Sequence, residues 1–499
     1  MAVLNFKGKP FVQNYHLLVK YHQLVPRKDR SLTDKVSLRD NLIIHGDNLK
    51  ALKALLPMYA GKVKCIYIDP PYNTGNENWA YNDNVNSPMM QDWLGKVVDR
   101  EDLTRHDKWL CMMMPRLKLL REFLCEDGAI FVSIDDNEVQ HLRCVMDEVF
   151  GEENLLAVFV RRRRLSTGMR ENPISPDHEY VVAFAKSLAS LELTGTKKSP
   201  EDYPFRDAKG RYRSTDLTVG MSRVLRPNQY YAITDPASGG EYWPPENRVW
   251  RFEPATMRRE IEANNLIWPS SKPSGRMSRP RYKTRYDPND QKTNPVSTWM
   301  ESGGQNDAVD DDSVVLLSSG LNQEATRELR LLLDDEQLAY PKPVSLVRAI
   351  VSLFGSQDVV VLDSFAGSGT TGHAVLSLNQ EDGGDRRFIL VECEDYADKI
   401  TAERVRRVID GVPSDKTEEA WAGLEGTFSY FDLGPPIEME SILSGDSLPS
   451  YEELARYVFY TATGEEFDAG AVDEERHFIG ESRGHLVYLL YQPSLEYLK

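Results

Sequence analysis

The chain has 499 residues, 41% hydrophobic and 27% charged, with 28 Pro and 32 Gly. That leaves room for two or three domains with a real core and excludes collagen-like, low-complexity or wholly disordered chains. The net charge of −17 at first argues against a nucleic-acid partner, but it is unevenly spread. Residues 161–292 carry 25 basic against 16 acidic side chains, and residues 411–499 carry 5 against 18, so a basic middle can still meet a polyanion. No apolar run approaches the ~18–20 residues of a membrane span, and MAVLNFKGKP lacks the apolar core of a secretory signal. Five scattered cysteines without a CxxC pair offer neither a disulfide framework nor a cysteine zinc site, and a reducing cytoplasm is the expected compartment.

In chain order, residues 1–40 have little periodicity and read as an N-terminal arm. Regular alternation begins at Asn41: strand Leu42–Ile44, helix Leu49–Leu56, strand Val63–Ile68, helix Asp107–Cys125, strand Ala129–Ile134 and helix Glu138–Phe150. Strands alternating with helices imply a mostly parallel sheet covered on both faces. The alternation stops near Val160, and residues 161–300 read as a large mixed insertion rich in Arg, Tyr, Trp and Pro. ESGGQNDAVDDDS opens a flexible connector over 301–322. Alternation returns over 323–410 with helices Gln323–Leu333 and Val344–Phe354, strand Val359–Leu362, helix Thr371–Leu378, strand Phe388–Val391 and helix Tyr396–Ile409. One α/β domain is thus split into halves, 41–160 and 323–410. Residues 411–499 look like a small, acidic appended domain, separable from the rest, with a helix at Tyr451–Tyr460 and strands at His477–Ile479 and Leu486–Tyr491.

Two motifs carry chemistry. DSFAGSGTTG at 363–372 follows a strand and opens a helix, with a literal GxGxxG in Gly367, Gly369 and Gly372. Glycines there let the backbone turn tightly against a ligand at the helix N-terminus. Glu392, 20 residues beyond Gly372, ends the next strand, where a carboxylate can accept from ribose hydroxyls. No Lys-Ser/Thr follows the glycines, which excludes a P-loop. A dinucleotide and S-adenosylmethionine (AdoMet) both fit. The second motif, Asp69-Pro70-Pro71-Tyr72, ends the strand Val63–Ile68. Two prolines remove two N–H donors, so the turn presents acceptors only. The Asp69 carboxylate and Pro70 carbonyl can each accept one N–H of an exocyclic amine, drawing its nitrogen towards sp³ so that the lone pair can attack a methyl sulfonium. Tyr72 offers a face on which an extruded base can stack. A nicotinamide dehydrogenase has no use for this tetrapeptide.

With these motifs the sequence resembles the amino-methylating DNA methyltransferases. It is most similar to the permuted β-group, in which the catalytic half precedes the cofactor half, and in particular to Mod subunits of Type III restriction–modification systems. The resemblance rests on NLIIHGDNLKAL (41–52), IYIDPPYNTG (66–75), GAIFVSIDDNE (128–138), DHEYVVAFAK (177–186), YPKPVSLV (340–347), DSFAGSGTTGHAVL (363–376) and FILVECEDYAD (388–398). It implies a circularly permuted, Rossmann-like AdoMet-dependent methyltransferase sheet. Asp363, Phe365, Ala366, Gly367, Ser368 and Gly369 would line the methionine moiety, with Thr370 and Thr371 at the helix N-terminus. Glu392 would hold the ribose, Asp47 would receive the adenine amino group of the cofactor, and Lys342-Pro343 would close the methionine end. Blander readings stand beside these: Asp47 as a helix cap, Lys342 as an exposed loop lysine. Asp135-Asp136, at a strand end before a helix, read as a cap and a turn rather than paired catalytic acids.

The insertion occupies the family's target-recognition position. Arg161, Arg162, Arg163 and Arg164, then RPRYKTRY with Arg281 and Lys283, interleave with Trp243, Trp250, Trp268 and Trp299. Arg and Lys among aromatics suit phosphate contact and base reading on double-stranded DNA. The resulting expectation is a sequence-specific adenine-N6 DNA methyltransferase that flips its target and needs no metal. Asp rather than Ser before PPY favours adenine over cytosine-N4. A second reading makes the chain a DNA-recognition and cofactor-sensing subunit beside a helicase or nuclease in restriction or phage defence, with the tail as a partner or homodimer module. Neither reading has a membrane partner.

Overall fold

A computed structural model of the chain describes residues 4–74, 104–165, 174–193, 203–269, 277–287, 295–302, 315–333, 341–412, 423–438, 449–463, 467–482 and 484–491, with residues 200 and 465. It divides into a large unit, residues 1–193, 298–303 and 317–499, and a smaller one, residues 194–297 and 304–316.

The large unit is built on one ten-stranded sheet. Its principal strands and helices in chain order are β1 (His22–Pro26), β2 (Leu42–His45), α1 (Asn48–Tyr59), β3 (Val63–Ile68), α2 (Arg105–Phe123), β4 (Leu124–Ile134), α3 (Val139–Phe150), β5 (Leu155–Arg162), β6 (His178–Ala185) and β7 (Trp299–Met300). They continue with α4 (Asn322–Leu333), α5 (Val344–Val351), β8 (Val360–Asp363), α6 (Thr370–Asp382), β9 (Arg387–Glu392), α7 (Glu403–Asp410), β10 (Ser429–Pro436) and α8 (Tyr451–Thr463). The strand order is β1-β10-β2-β9-β8-β3-β4-β6-β5-β7. The six from β10 to β4 run parallel, and β6 pairs antiparallel with both β4 and β5. Central strands such as VVLD of β8 are buried at every position, as parallel strands covered on both faces must be. α3 shows the matching helical logic: Leu142, Val145, Met146 and Phe150 form its buried stripe. α2 begins with a capping box in which Thr104 and Asp107 satisfy each other's backbone N–H groups.

Three expected boundaries move. The insertion was expected from residue 161, but β6 lies inside the sheet and the smaller unit begins at residue 194. The acidic tail is not an appendage: β10 is inserted between β1 and β2, in register Ser429↔Leu42 to Asp432↔His45 on one side and Val25↔Asp432 on the other. The N-terminal arm therefore contributes β1 to the same sheet. The partners of both strands lie far away in sequence, so local periodicity had nothing to register. β4 also starts earlier than Ala129. Leu124 pairs with Val63 and the next pair is Cys65↔Ala129, so Cys125–Gly128 bulges out of the ladder, and its turn-like composition reflects that bulge. Of the connector, residues 303–314 lie outside the described residues, as does 340 of YPKPVSLV. Residues 317–322 belong to the large unit.

The smaller unit has a four-stranded antiparallel sheet in the order Leu266–Ile267, Arg281–Arg285, Gly210–Asp216, Phe205–Asp207. Its core is Leu217, Ile233, Trp250, Met257 and Leu266, with Trp268 packed against it.

Candidate active site

Four neighbouring parallel strands, β2, β9, β8 and β3, end on acidic residues or the turns that carry them: Asp47, Glu392, Asp363 and Asp69. The carboxyl ends of parallel strands are where open α/β sheets take their ligands. Chain positions far apart in sequence are thus placed side by side by strand order alone.

The glycine loop between β8 and α6 is held from several directions. Asp363 turns back on it, accepting from Phe365 N at 3.0 Å and Thr371 Oγ1 at 2.6 Å. Burial pushes its carboxyl up to about 7, against the pull of those two donors. Glu392 is buried and accepts three backbone N–H groups, Gly367 at 2.7 Å, Cys393 at 2.8 Å and Glu394 at 3.0 Å. Burial likewise raises it to about 7, with those bonds opposing. Expected as a ribose ligand, Glu392 in this structure clamps the loop itself. Gly369 has φ +78°, and a Cβ there would lie 2.9 Å from the Thr401 carbonyl, so both conformation and space require glycine. Ser368 and Thr370 each accept from Nη1 of the fully buried Arg404 at 2.9 Å, a guanidinium lowered to about 10 by burial. Phe365 and Ala366 are buried. The buried Ser364 hydroxyl has no hydrogen-bond partner among the described residues. An orphaned hydroxyl beside a backbone cradle that tolerates no Cβ fits a small polar cofactor.

Asp47 does cap α1, accepting from Lys50 N at 3.1 Å, and its other oxygen lies 3.5 Å from Arg116 Nη2. Arg116 Nε also donates to Asn48 Oδ1 at 2.6 Å, and Asn48 Nδ2 donates to the Ser364 carbonyl at 2.8 Å, tying the β2 turn to the glycine loop. Asp135 accepts from Asn137 N at 3.0 Å, the expected turn, but neither aspartate caps α3, which Glu138 precedes; Asp136 accepts from the Tyr180 hydroxyl at 2.8 Å instead.

The DPPY turn is braced from behind. Trp109 Nε1 donates to the Pro71 carbonyl at 2.7 Å. Asn73 sits in the left-handed region at φ 54° and donates to the Arg105 carbonyl at 3.1 Å and to Glu138. Glu138, itself buried, also accepts from His106 Nδ1 at 2.7 Å and His141 Nδ1 at 2.8 Å. In front, Lys342 departs from expectation. Its carbonyl accepts from Thr370 Oγ1 at 3.2 Å, but its ammonium, expected at the methionine end, donates to both Asp69 oxygens at 2.7 Å. It lies 4.8 Å from the Tyr72 ring centroid and 3.9 Å from Glu179 Oε1. It is buried, not an exposed loop lysine. Burial raises the Asp69 carboxyl, with Lys342 pulling it down and Glu179 pushing it up. Burial would raise Glu179 too, but Lys342 and Arg161 outweigh it and hold that carboxyl below its usual range.

Arg161 is a correction. Expected on DNA phosphates, it is 0% exposed. Its Nε donates to Glu179 Oε1 at 2.7 Å and its Nη1 to Ser319 Oγ at 2.9 Å and the Gly320 carbonyl at 2.8 Å. Alternation along β5 explains it, since one residue of a strand faces in and the next faces out. Arg162 is exposed, Arg163 donates to the Pro176 carbonyl and Arg164 to Asp177. Within the smaller unit Lys283 is a second correction: it is buried, with its ammonium 3.2 Å from Asp207, and Arg281 donates to Ser214 at 2.8 Å. Of the tryptophans, Trp243 and Trp299 are 51% and 57% exposed. Glu179 and Arg404 were missed by sequence reasoning. A lone Glu opening the apolar run YVVAFA and an Arg beside Val405 in the helix after the glycine loop's neighbouring strand were the available signals.

A family model described as DNA methylase matches residues 63–403. The StyLTI Mod subunit of a Type III restriction–modification enzyme from Salmonella typhimurium is 31% identical over 81% of this chain and 62% of its own. The EcoPI Mod subunit of Escherichia phage P1 is 28% identical over 88% of this chain and 73% of its own. The Type II methyltransferase M.KpnI of Klebsiella pneumoniae is 30% identical over 74% of this chain and 88% of its own. The chain thus spans less than two thirds of the StyLTI Mod subunit.

Proposed function

The chain belongs to the DNA methylase family, and from that premise we propose that it methylates the N6 amine of a flipped adenine in double-stranded DNA within a restriction–modification system. The observation that carries this reading is the adjacency of β3 and β8, paired Leu362↔Ile66. It sets the acceptor turn Asp69-Pro70-Pro71-Tyr72 next to the Asp363–Gly369 cradle. AdoMet, held by Asp363, Ser364, the glycine loop and Glu392, would supply an electrophilic methyl on its sulfonium. Asp69 and the Pro70 carbonyl would accept the two amine N–H groups and orient the nitrogen lone pair. Tyr72 would receive the face of the base, and the buried wall of the turn would exclude water. The rate enhancement is one of orientation and fixed charge, with no general base of its own. Relatives named as Mod subunits of Type III restriction–modification enzymes support a restriction subunit as partner, and the excess of basic over acidic side chains across residues 161–292 supports the smaller unit as the target-recognition region.

Tritiated AdoMet incubated with unmethylated phage DNA, followed by nucleoside analysis, tests the reading: N6-methyladenine is expected, and N4-methylcytosine alone would overturn the base assignment. Asp69→Ala should lose about 10²–10³-fold in kcat, the worth of one oriented transition-state contact, while AdoMet affinity holds. Near-normal turnover of that variant would overturn the role of the turn.

A further inference from the structure

The target amine and Lys342 compete for one place. A base clamped at the acceptor turn needs an N–H donor on Asp69 and a flat group on Tyr72. In this structure a single ammonium occupies both places, donating to each Asp69 oxygen at 2.7 Å with its nitrogen 4.8 Å from the Tyr72 ring centroid. Like an amino group, it is a nitrogen presenting N–H donors to an acceptor pair, and the ring face it covers is stabilised by its charge. A second seat is waiting. Glu179 of β6 lies 3.9 Å from the same Nζ, it is 1% exposed, and it is already pinned by the buried Arg161. Asp69, Glu179, Lys342 and Arg161 form a quartet of two negative and two positive charges. The lysine can change carboxylates without carrying net charge into or out of the buried site, which is what keeps such a move inexpensive in a low-dielectric interior.

We propose that Lys342 is a positioning residue that occupies the target-amine seat in the DNA-free protein, and that the flipped base enters by displacing its ammonium from Asp69 onto Glu179. This rests on the reading of Asp69 as the acceptor of the target amine. The lysine keeps Asp69 ionised and correctly turned until the substrate amine replaces it, and Glu179 keeps the displaced charge from being stranded. The groups facing Asp69 are Lys342 from the turn before α5, Glu179 from β6, Tyr67 and Tyr72 from β3 and its turn, and Asp363 from the end of β8, with Arg161 of β5 behind Glu179.

The test uses the full chain, tritiated AdoMet and unmethylated phage lambda DNA. An opposite charge at hydrogen-bond distance moves a carboxyl by about one to three pH units, so Lys342→Met should shift the acid limb of kcat/KM upward by about one unit or more. Lys342→Arg should restore the limb. Above the limb, KM for DNA should fall in Lys342→Met, because the seat stands open, and rise in Glu179→Gln, because the ammonium has nowhere to go. The equilibrium Kd for the same DNA measured without AdoMet should move in the same two directions. AdoMet affinity, measured by calorimetry, should be unchanged in both. An acid limb that stays put in Lys342→Met overturns the proposal, as do KM changes of the same sign in the two variants. A loss of AdoMet affinity as the main effect overturns it too and assigns the lysine to the cofactor. If Lys342→Met does not fold, the sign of the KM and Kd changes in Glu179→Gln decides. An inactive Asp69→Ala together with unmoved lysine and glutamate variants sinks the seat exchange alone. An active Asp69→Ala sinks the underlying reading instead.

Discussion

Arg161→Ala separates a buried charge from a DNA contact, because the two roles predict opposite measurements. The guanidinium is fully buried, and it donates to Glu179 at 2.7 Å, to Ser319 at 2.9 Å, to the Gly320 carbonyl at 2.8 Å and to Asn322. Removing one partner of such a pair costs about 3–5 kcal/mol, since the other charge is left buried. Lys342, 3.9 Å from Glu179, can take up part of that charge, which puts the expectation near the lower end, about 3 kcal/mol. That is about a hundred-fold in the folded-to-unfolded ratio. Urea unfolding followed by tryptophan fluorescence should show the midpoint of Arg161→Ala well below wild type. Arg162→Ala, the next residue of the run and on the opposite, exposed face, should stay within about 0.5 kcal/mol. The salt dependence of DNA binding supplies the other half: each lost phosphate contact flattens log K against log salt by about 0.9, and Arg161→Ala should leave that slope as it was. A variant with wild-type urea midpoint and a slope flattened by about 0.9 would refute the buried-pair argument and return Arg161 to the DNA.

Truncation at residue 411 should yield insoluble or unfolded protein, because it removes β10 and strips both β1 and β2 of a ladder partner; a soluble truncation that binds AdoMet by calorimetry would show the tail to be separable after all. Folding raises the Asp363 carboxyl to about 7, so the folded state takes up a proton there. The stability tied to that proton is full below the ordinary carboxylate range and is lost as pH climbs towards 7. Asp363→Asn should therefore flatten the fall in urea midpoint between pH 4.5 and 7.5, and an unchanged profile would show that the group does not titrate in that window. Gly369→Ala must place a Cβ 2.9 Å from the Thr401 carbonyl at φ +78°, a strain of about 1–3 kcal/mol; the expected outcome is a lowered thermal midpoint together with weakened AdoMet binding, and wild-type values for both would mean the loop has freedom that its packing does not suggest.

What the sequence determined by itself was everything written in local pattern. The alternation of apolar strands and amphipathic helices from Asn41 specified a parallel α/β sheet, because a strand buried on both faces has to be apolar throughout. The acceptor-only turn at Asp69–Tyr72 and the glycine loop at 363–372 were legible because their chemistry lies in consecutive residues. Pairing was decided only in three dimensions. Nothing in SYFDLGPP announces that it slides between β1 and β2, since the strand is placed by hydrogen bonds with partners distant in the chain. Nothing in RRRR says which arginine turns inward, because that depends on the register of β5 against β6 and on Glu179 waiting at 2.7 Å. The same holds for Lys342: its identity was plain in YPKP, but its place on Asp69 follows from the order of strands, which brings the turn before α5 against the end of β3.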